Sequence, residues 1–180
     1  MRRAAAAGAL SALLLVTAAS ALAGRASHTV SARDRTGEVD AVGVDIAAAT
    51  MTRSDGTIVA RIVLTQPAAD EVRYSAELAV GATRWRLEAT RSGGRIRFAA
   101  VRLEPTVRRF RTRGAFVGRS VSIRVPAKLL GASTAAFRFW FAAEVTGGAY
   151  YAEDRLPDDE RPLLVRLASP LARSLRFPRG

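Results

Sequence analysis

Apolar and polar residues alternate along most of the chain, in short runs separated by glycine, proline and aspartate. A period of two places successive side chains on opposite faces of an extended strand, so each run predicts a β-strand with one buried face. In the run 72–80, for example, Tyr74, Ala76 and Leu78 fall on one face and Arg73 falls on the other. Because no run of useful length has the helical period, the pattern predicts an all-β chain.

Turn residues between these runs predict how the strands are joined. Asp55 and Gly56 join two runs as a hairpin, and the sequence SGG at 92–94 joins two more. The segment VRRFRTR at 107–113 is basic on one side and predicts an edge strand or a mobile connection. The segment PAKLLG predicts one helical turn. About eight strands within 34–168, with no internal repeat, favour a single antiparallel β-sandwich over a closed barrel.

The two ends of the chain are expected to lie outside this domain. Residues 1–23 have the three parts of a secretory signal peptide: a basic start, an apolar stretch and an A-x-A cleavage site ending at Ala23. We therefore expect a secreted or envelope-associated mature protein without stable membrane insertion, the alternative being an uncleaved N-terminal anchor. Residues 24–33 are expected to form a flexible N-terminus, and the Arg-rich tail 169–180 is expected to be disordered.

Composition excludes several kinds of chemistry. The chain has no cysteine, so disulfides, thiolate metal sites and a cysteine nucleophile are excluded. Its only histidine, His28, lies in the predicted flexible N-terminus, which removes Ser-His-Asp catalysis and histidine metal clusters. Hydrolysis by two carboxylates, such as Asp45 with Asp154, is the remaining catalytic alternative. We otherwise expect a protein that is not an enzyme.

The chain is strongly basic, with a formal net charge of +12, and all but one of its 28 basic residues are arginine. Those on predicted strand faces would form a basic sheet face for an anionic cell-wall polymer or acidic polysaccharide. They are Arg84, Arg86, Arg95, Arg97, Arg109, Arg111 and Arg113. The alternative is that these charges are only solvated.

Arg86 and Arg97 are the arginines for which a specific pairing suggests an anion site. If Trp85 pairs with Phe98, the two arginines lie directly opposite each other, and an anion between them would relieve their repulsion. A shift of two residues would place Glu88 opposite Arg97 instead. The sequence leaves both registers open.

Nine of the sixteen acidic residues lie in two segments, 34–45 and 153–160. If the first and last strands of the sandwich are neighbours, these segments meet at one end, where clustered carboxylates repel each other unless a cation lies among them. Calcium accepts carboxylate and carbonyl oxygens in loose geometry, which suits loop ligands. The predicted metal ligands are Asp34, Asp40, Asp45, Asp154 and Asp158. The alternative is that both segments are solvated and are neutralised by neighbouring arginines.

Several motifs in order resemble a known group of domains. They are DRTGEVDAVGVDI at 34–46, a DG hairpin, a tryptophan strand, VSIRVPAKLLG at 121–131, an aromatic strand and AEDRLPDD at 152–159. The chain resembles secreted bacterial β-sandwich domains of the DOMON-like and family 9 carbohydrate-binding-module type over about residues 34–167. The resemblance implies a sandwich that binds a sugar, haem or calcium, with calcium at the N-terminal acidic loop.

Trp140 is the candidate sugar-binding residue, because it is out of phase with the phenylalanine face of its strand. An exposed tryptophan can stack on a sugar ring, and it can equally cover the last strand of its own domain. DOMON-type cytochromes use methionine and histidine as axial ligands, and here only Met51 lies in the predicted fold, so no haem is expected.

The sequence therefore predicts an exported, monomeric, non-catalytic binding or envelope-associated module. Its expected partner is a glycan or an anionic envelope polymer, with no specific nucleic acid.

Overall fold

The computed structural model describes residues 28–34, 37, 39, 41–54, 56–132, 136–146, 152–157 and 163–165. These residues form twelve β-strands in two antiparallel sheets. The predicted all-β sandwich is confirmed, with twelve strands in place of about eight. The signal segment, its cleavage site and the Arg-rich tail lie outside the described residues. Within the described ranges, no helix is long and apolar enough to span a membrane.

The strands are, in chain order, β1 His28–Arg33, β2 Ile46–Ser54, β3 Thr57–Leu64, β4 Val72–Val80, β5 Thr83–Ser92, β6 Arg95–Arg102, β7 Arg108–Arg111, β8 Arg113–Val117, β9 Ser120–Pro126, β10 Phe137–Val145, β11 Glu153–Leu156 and β12 Leu163–Val165. The five-stranded sheet has the order β1-β2-β3-β9-β8. The seven-stranded sheet has the order β11-β10-β4-β5-β6-β7, and β12 also pairs with β10. Strand β10 pairs with β4 along one side. Along the other side, the first part of β10 pairs with β12 and the second part pairs with β11. The predicted helical turn is the 3-10 helix Ala127–Leu130.

The inward faces of the two sheets form one apolar core. On β4, Tyr74, Ala76 and Leu78 are fully buried, as the alternating pattern predicts. Strand β10 adds three phenylalanines whose rings pack against one another, Phe137, Phe139 and Phe141. The facing sheet adds Ile46, Met51, Ile58, Ile62, Leu64 and Ile123. Burial of each large apolar side chain contributes about 1.5–3 kcal/mol, so this core is the main source of stability.

Two consecutive glycines determine the register of the β5–β6 hairpin. The φ angles of Gly93 and Gly94 are both positive, 53° and 74°, and a two-residue loop of this kind matches the twist of its flanking strands. The resulting register sets Ser92 opposite Arg95, Thr90 opposite Arg97, Glu88 opposite Ala99 and Arg86 opposite Val101. Both registers considered from the sequence are therefore wrong, because each would centre the turn before the two glycines.

The sandwich includes β1, which precedes residue 34. Strand β1 pairs with β2 over its whole length, and its apolar residues Val30 and Ala32 pack against the core. The prediction of a flexible N-terminus is therefore wrong for residues 28–33. His28 belongs to an edge strand of the five-stranded sheet.

The chain passes from one sheet to the other at Thr112. The backbone N–H of Thr112 donates to the carbonyl of Phe98 at 3.1 Å, and β8 then pairs with β9 in the opposite sheet. Gly114 packs so closely on the ring of Phe98 that a Cβ would overlap it. The edge-strand prediction for 107–113 is confirmed, because β7 and β8 are the edge strands on this side.

Tyr74 ties β4 to the loop that precedes β2. Its buried hydroxyl donates to the carbonyl of Gly43 at 2.8 Å and accepts the backbone N–H of Ala69 at 3.0 Å. Gly43 has a φ of 72°, and a Cβ there would lie 2.7 Å from the Ala69 nitrogen. Burial raises the pKa of Tyr74 to about 12, so the hydroxyl keeps its proton and can donate.

Candidate ligand-binding face

The outward face of the seven-stranded sheet, called the outer face below, carries most of the polar residues singled out from the sequence. Strand pairing arranges its side chains in rows across the strands. From β10 to β7, one row is Ala142, Ser75, Glu88, Ala99 and Arg111, and the next is Trp140, Glu77, Arg86, Val101 and Arg109. The first row is mostly small side chains and the second mostly long ones, so the surface is uneven and concave between them.

A groove of about 570 Å³ crosses β11, β10, β4 and β5 on the outer face, and we call it the Trp140 groove. The nearly buried residues Ser75 and Ala142 contribute to its lining. The indole of Trp140 is half-buried, and the Arg84 guanidinium lies 5.9 Å from its ring centroid, within cation–π range. Trp140 thus faces outward, as its phase in the strand predicts.

The arginines of the Trp140 groove are paired with carboxylates. Arg84 donates to Glu77 at 3.2 Å and to Glu104 at 3.3 Å. Arg155 donates to Glu153 at 2.6 Å. Exposed ion pairs of this kind add little stability. These ion pairs leave the net charge of the groove close to zero. They also place hydrogen-bond donors and acceptors side by side in fixed positions.

Glu88 connects the groove to the other half of the outer face. Its side chain is only 3% exposed, and it pairs with Arg86 at 3.3 Å and also with Arg109. A buried carboxylate is tolerated when charged donors satisfy its oxygens. Glu88 therefore fixes the positions of two arginines that lie on different strands, β5 and β7.

Arg95, Arg97, Arg109 and Arg111, called the arginine cluster below, surround a second concave region near β6 and β7. All four line a depression of about 810 Å³. A depression of about 390 Å³ shares Arg95 and Arg97 with it, and one of about 620 Å³ shares Arg111. Arg109 is paired with Glu88, whereas the other three have no acidic partner among the residues that the structure describes. Positive charge is therefore unbalanced here.

The structure separates Arg86 from Arg97. They lie on adjacent strands, but Arg86 is opposite Val101, four residues along β6 from Arg97. That offset is about 13 Å at about 3.3 Å per residue. The expected anion shared by this pair is therefore not supported, because the directly opposed pairing on which it depended does not occur and Arg86 is paired with Glu88 instead. Arg86 belongs to the Trp140 groove and Arg97 to the arginine cluster.

The two acidic segments meet, as predicted from the sequence. The carboxylate of Asp154 accepts the backbone N–H of Ile46, and that of Asp45 accepts the N–H of Gly37 at 2.9 Å. Asp45 and Asp154 are only 6% and 8% exposed. Their carboxylates therefore act as acceptors for the backbone, which gives no support to the hypothesis that this pair hydrolyses a substrate.

The second carboxylate oxygen of Asp45, Oδ1, is buried and has no hydrogen-bond partner in the described part of the chain. Such an oxygen fits a cation ligand. Asp34 lies nearby in the chain at the end of β1, and Asp40 and Asp158 lie outside the described residues. Among the residues with described positions, no group of three or more acids or histidines could hold a metal. Calcium at this end of the sandwich stays a prediction.

Sequence reasoning missed the acids that neutralise the groove, Glu77 and Glu88. Glu77 pairs with arginines of the adjacent strand β5, and Glu88 pairs with Arg109 of β7, so strand order and register are needed to identify these partners. Arg86, the other partner of Glu88, lies two residues before it on the same face of β5, and the alternation of the strand alone places the two together. The fold and the outer face define the class of protein as an antiparallel β-sandwich with a concave polar sheet face. No protein-family model matches the chain, and neither a curated protein nor a solved structure matches it.

Proposed function

We propose that this protein is an exported, non-catalytic glycan-binding module that holds a sugar chain in the Trp140 groove. The observation that carries the proposal is the combination of a half-exposed indole with charge-balanced guanidinium and carboxylate groups in one groove. The signal-type segment 1–23 supports the exported location.

Trp140 supplies the apolar contact that a sugar ring needs. The faces of sugar rings carry C–H groups that pack on an indole, and the indole here is held in place by Arg84 at 5.9 Å. Concave sites with an aromatic wall and a few converging polar groups are typical of small-ligand binding. The groove therefore suits a sugar ring that packs against the exposed part of the Trp140 indole, beside Arg84.

The ion pairs of the groove suit the hydroxyl groups of a sugar. Each hydroxyl both donates and accepts a hydrogen bond, and Glu77 lies between two donors, with Arg84 at 3.2 Å and Arg86 at 4.0 Å. Because the carboxylates and guanidinium groups balance each other, this groove favours neutral sugar units. Strongly charged groups would meet a repulsive partner on either side.

A glycan array tests the proposal with the mature protein and two variants. Trp140→Ala should lower the affinity for the bound neutral glycan about tenfold, and Trp140→Phe should retain most of it, since an aromatic contact contributes about 0.5–1.5 kcal/mol beyond its area. Arg138→Ala is the matched control, because Arg138 is exposed on the same strand and does not line the groove. Binding of no glycan, or equal binding by Trp140→Ala, would reject this function.

A further inference from the structure

We infer that the ligand is an acidic polysaccharide, which extends from the Trp140 groove along the outer face and places carboxylate or sulfate groups in the arginine cluster. This inference rests on the proposed glycan-binding function and specifies the class of glycan. The groove holds neutral parts of the sugar chain, and the arginine cluster holds its acidic groups.

The arginine cluster carries positive charge that its described neighbours do not balance. Arg95, Arg97 and Arg111 have no acidic partner within the described ranges, although the arginines of the groove on the same face are paired. Like charges held close together repel each other. A guanidinium presents a planar set of donors that matches a carboxylate or sulfate with two parallel hydrogen bonds. Anionic groups would therefore remove a repulsion that the protein itself leaves in place.

The region around the arginine cluster is open and concave. Pairing between β6 and β7 covers only Ala99 to Arg102, so Arg95 and Arg97 border an open edge of β6. The depression of about 810 Å³ that results extends around this open edge, because its lining joins the four arginines to Ile96 and Phe98 of the opposite face of β6, and Ile96 is 47% exposed. Charged groups at the sides and an exposed apolar side chain fit a sugar that carries an acidic group.

The outer face is continuous between the Trp140 groove and the arginine cluster. The row from Trp140 on β10 to Arg109 on β7 crosses four strand spacings, which is about 19 Å. Its inner positions are Glu77, Arg86 and Val101, and Glu88 in the next row contacts both Arg86 and Arg109. A chain of several sugars spans this distance, and Glu88 acts as a positioning residue for the arginines along it.

The acids of the groove favour a polysaccharide over a nucleic acid. A nucleic acid carries a phosphate at every nucleotide, and phosphates in the Trp140 groove would meet Glu77, Glu144 and Glu153. A polysaccharide with acidic groups on some of its sugars places none there. The charge pattern of the outer face therefore matches a ligand that carries negative charge on only some of its units.

Equal-length dextran, carboxymethyl dextran, dextran sulfate and single-stranded poly(U) test the inference by titration calorimetry at several salt concentrations. We expect at least one acidic dextran to bind about tenfold more tightly than dextran, with an affinity that falls as salt rises. The two acidic arms distinguish carboxylate from sulfate. Arg97→Gln/Arg111→Gln should lose this preference and keep the affinity for dextran.

The control is Arg33→Gln/Arg124→Gln, which removes the same charge from exposed positions of the five-stranded sheet. It should retain the preference for the acidic dextran. Equal affinity for dextran and the acidic dextrans, an unchanged preference in Arg97→Gln/Arg111→Gln, or tighter binding of poly(U) would each overturn the inference. None of these outcomes depends on Trp140→Ala, whose failure to weaken neutral-glycan binding would instead reject the proposed function.

Discussion

The carboxylate of Asp154 accepts a hydrogen bond from the backbone N–H of Ile46, a residue 108 positions earlier in the chain. The bond joins β11 of the seven-stranded sheet to the start of β2 in the five-stranded sheet. It is buried and has a charged acceptor, and such bonds contribute about 1.5–3 kcal/mol. At least one acid of the C-terminal acidic segment therefore serves to hold the two sheets together.

We expect Asp154→Ala to lower the free energy of unfolding by about 2 kcal/mol, because it leaves the buried N–H of Ile46 unsatisfied. Urea unfolding of the two proteins measures the difference. Asp70→Ala is the control, since Asp70 is 54% exposed and pairs only at the surface with Arg91. An equal decrease in the free energy of unfolding in the two variants would show that the hydrogen bond to Ile46 does not stabilise the fold more than a surface ion pair does.

Tyr74→Phe should lower the free energy of unfolding by about 1–3 kcal/mol. The substitution keeps the ring in the core and removes the hydroxyl, so the carbonyl of Gly43 and the N–H of Ala69 lose their shared partner. Chemical denaturation measures the loss. An unchanged midpoint would mean that water replaces the hydroxyl without cost.

Tyr74 should also make the protein less stable at alkaline pH. Burial raises its pKa to about 12, above the value of about 10 in an unfolded chain. Its contribution is fully present below about pH 10. As the pH rises from about 10 to about 12, the unfolded chain releases this proton while the folded chain retains it, so stability falls. Melting temperatures across this range should fall more steeply for the wild type than for Tyr74→Phe.

Glu88→Gln should destabilise the fold more than the same change at an exposed glutamate. It removes the charged acceptor that Arg86 and Arg109 share at a nearly buried position. Hydrogen bonds to a charged group contribute about 1.5–3 kcal/mol, and we expect the low end of this range because the two arginines are 26% and 58% exposed. Glu104→Gln, at a 54% exposed partner of Arg84, should cost less than about 1 kcal/mol. Denaturant midpoints of the two variants should therefore differ, and equal midpoints would contradict a positioning role for Glu88.

Calcium should raise the melting temperature if the buried Oδ1 of Asp45 is one of its ligands. A ligand that binds only the folded state stabilises it by about 2.7 kcal/mol at one hundred times its dissociation constant. Asp45→Asn should remove the difference between calcium and excess chelator. If the wild type melts at the same temperature in both, the acidic segments serve only as backbone acceptors and solvated charge.

Most strands of the fold follow from the alternation of residues, because one buried face requires that pattern. The turn at Gly93 and Gly94 could also have given the β5–β6 register from the sequence, since two adjacent glycines are typical of a two-residue loop. Pairing by the aromatic residues Trp85 and Phe98 gave the wrong register instead. Strand β1 was missed because its core-facing side carries only small or medium apolar residues, Val30 and Ala32.

The site was only partly predictable, because its parts come together through strand order. The phase of Trp140 in its strand shows that it faces outward, and this can be read from the sequence. Its neighbour Glu77 cannot, because β10 pairs with β4, which lies far earlier in the chain. The same holds for Arg109, which contacts Glu88 from β7. Arg86 could be read as a partner of Glu88, because the two lie two residues apart on one face of β5.

The position of β10 beside β4 also has a consequence for how the chain folds. Strands β4 to β7 pair with their neighbours in the sequence and can form as the chain is synthesised. By contrast, β3 pairs with the later strand β9, and β4 pairs with the later strand β10. Pairings between distant segments of a chain slow its folding. Until β10 has paired with β4, one edge of β4 has unpaired backbone groups with which another chain can pair. Chains truncated before Phe137 should therefore aggregate, and the full-length chain should complete its fold only after almost all of it has been synthesised.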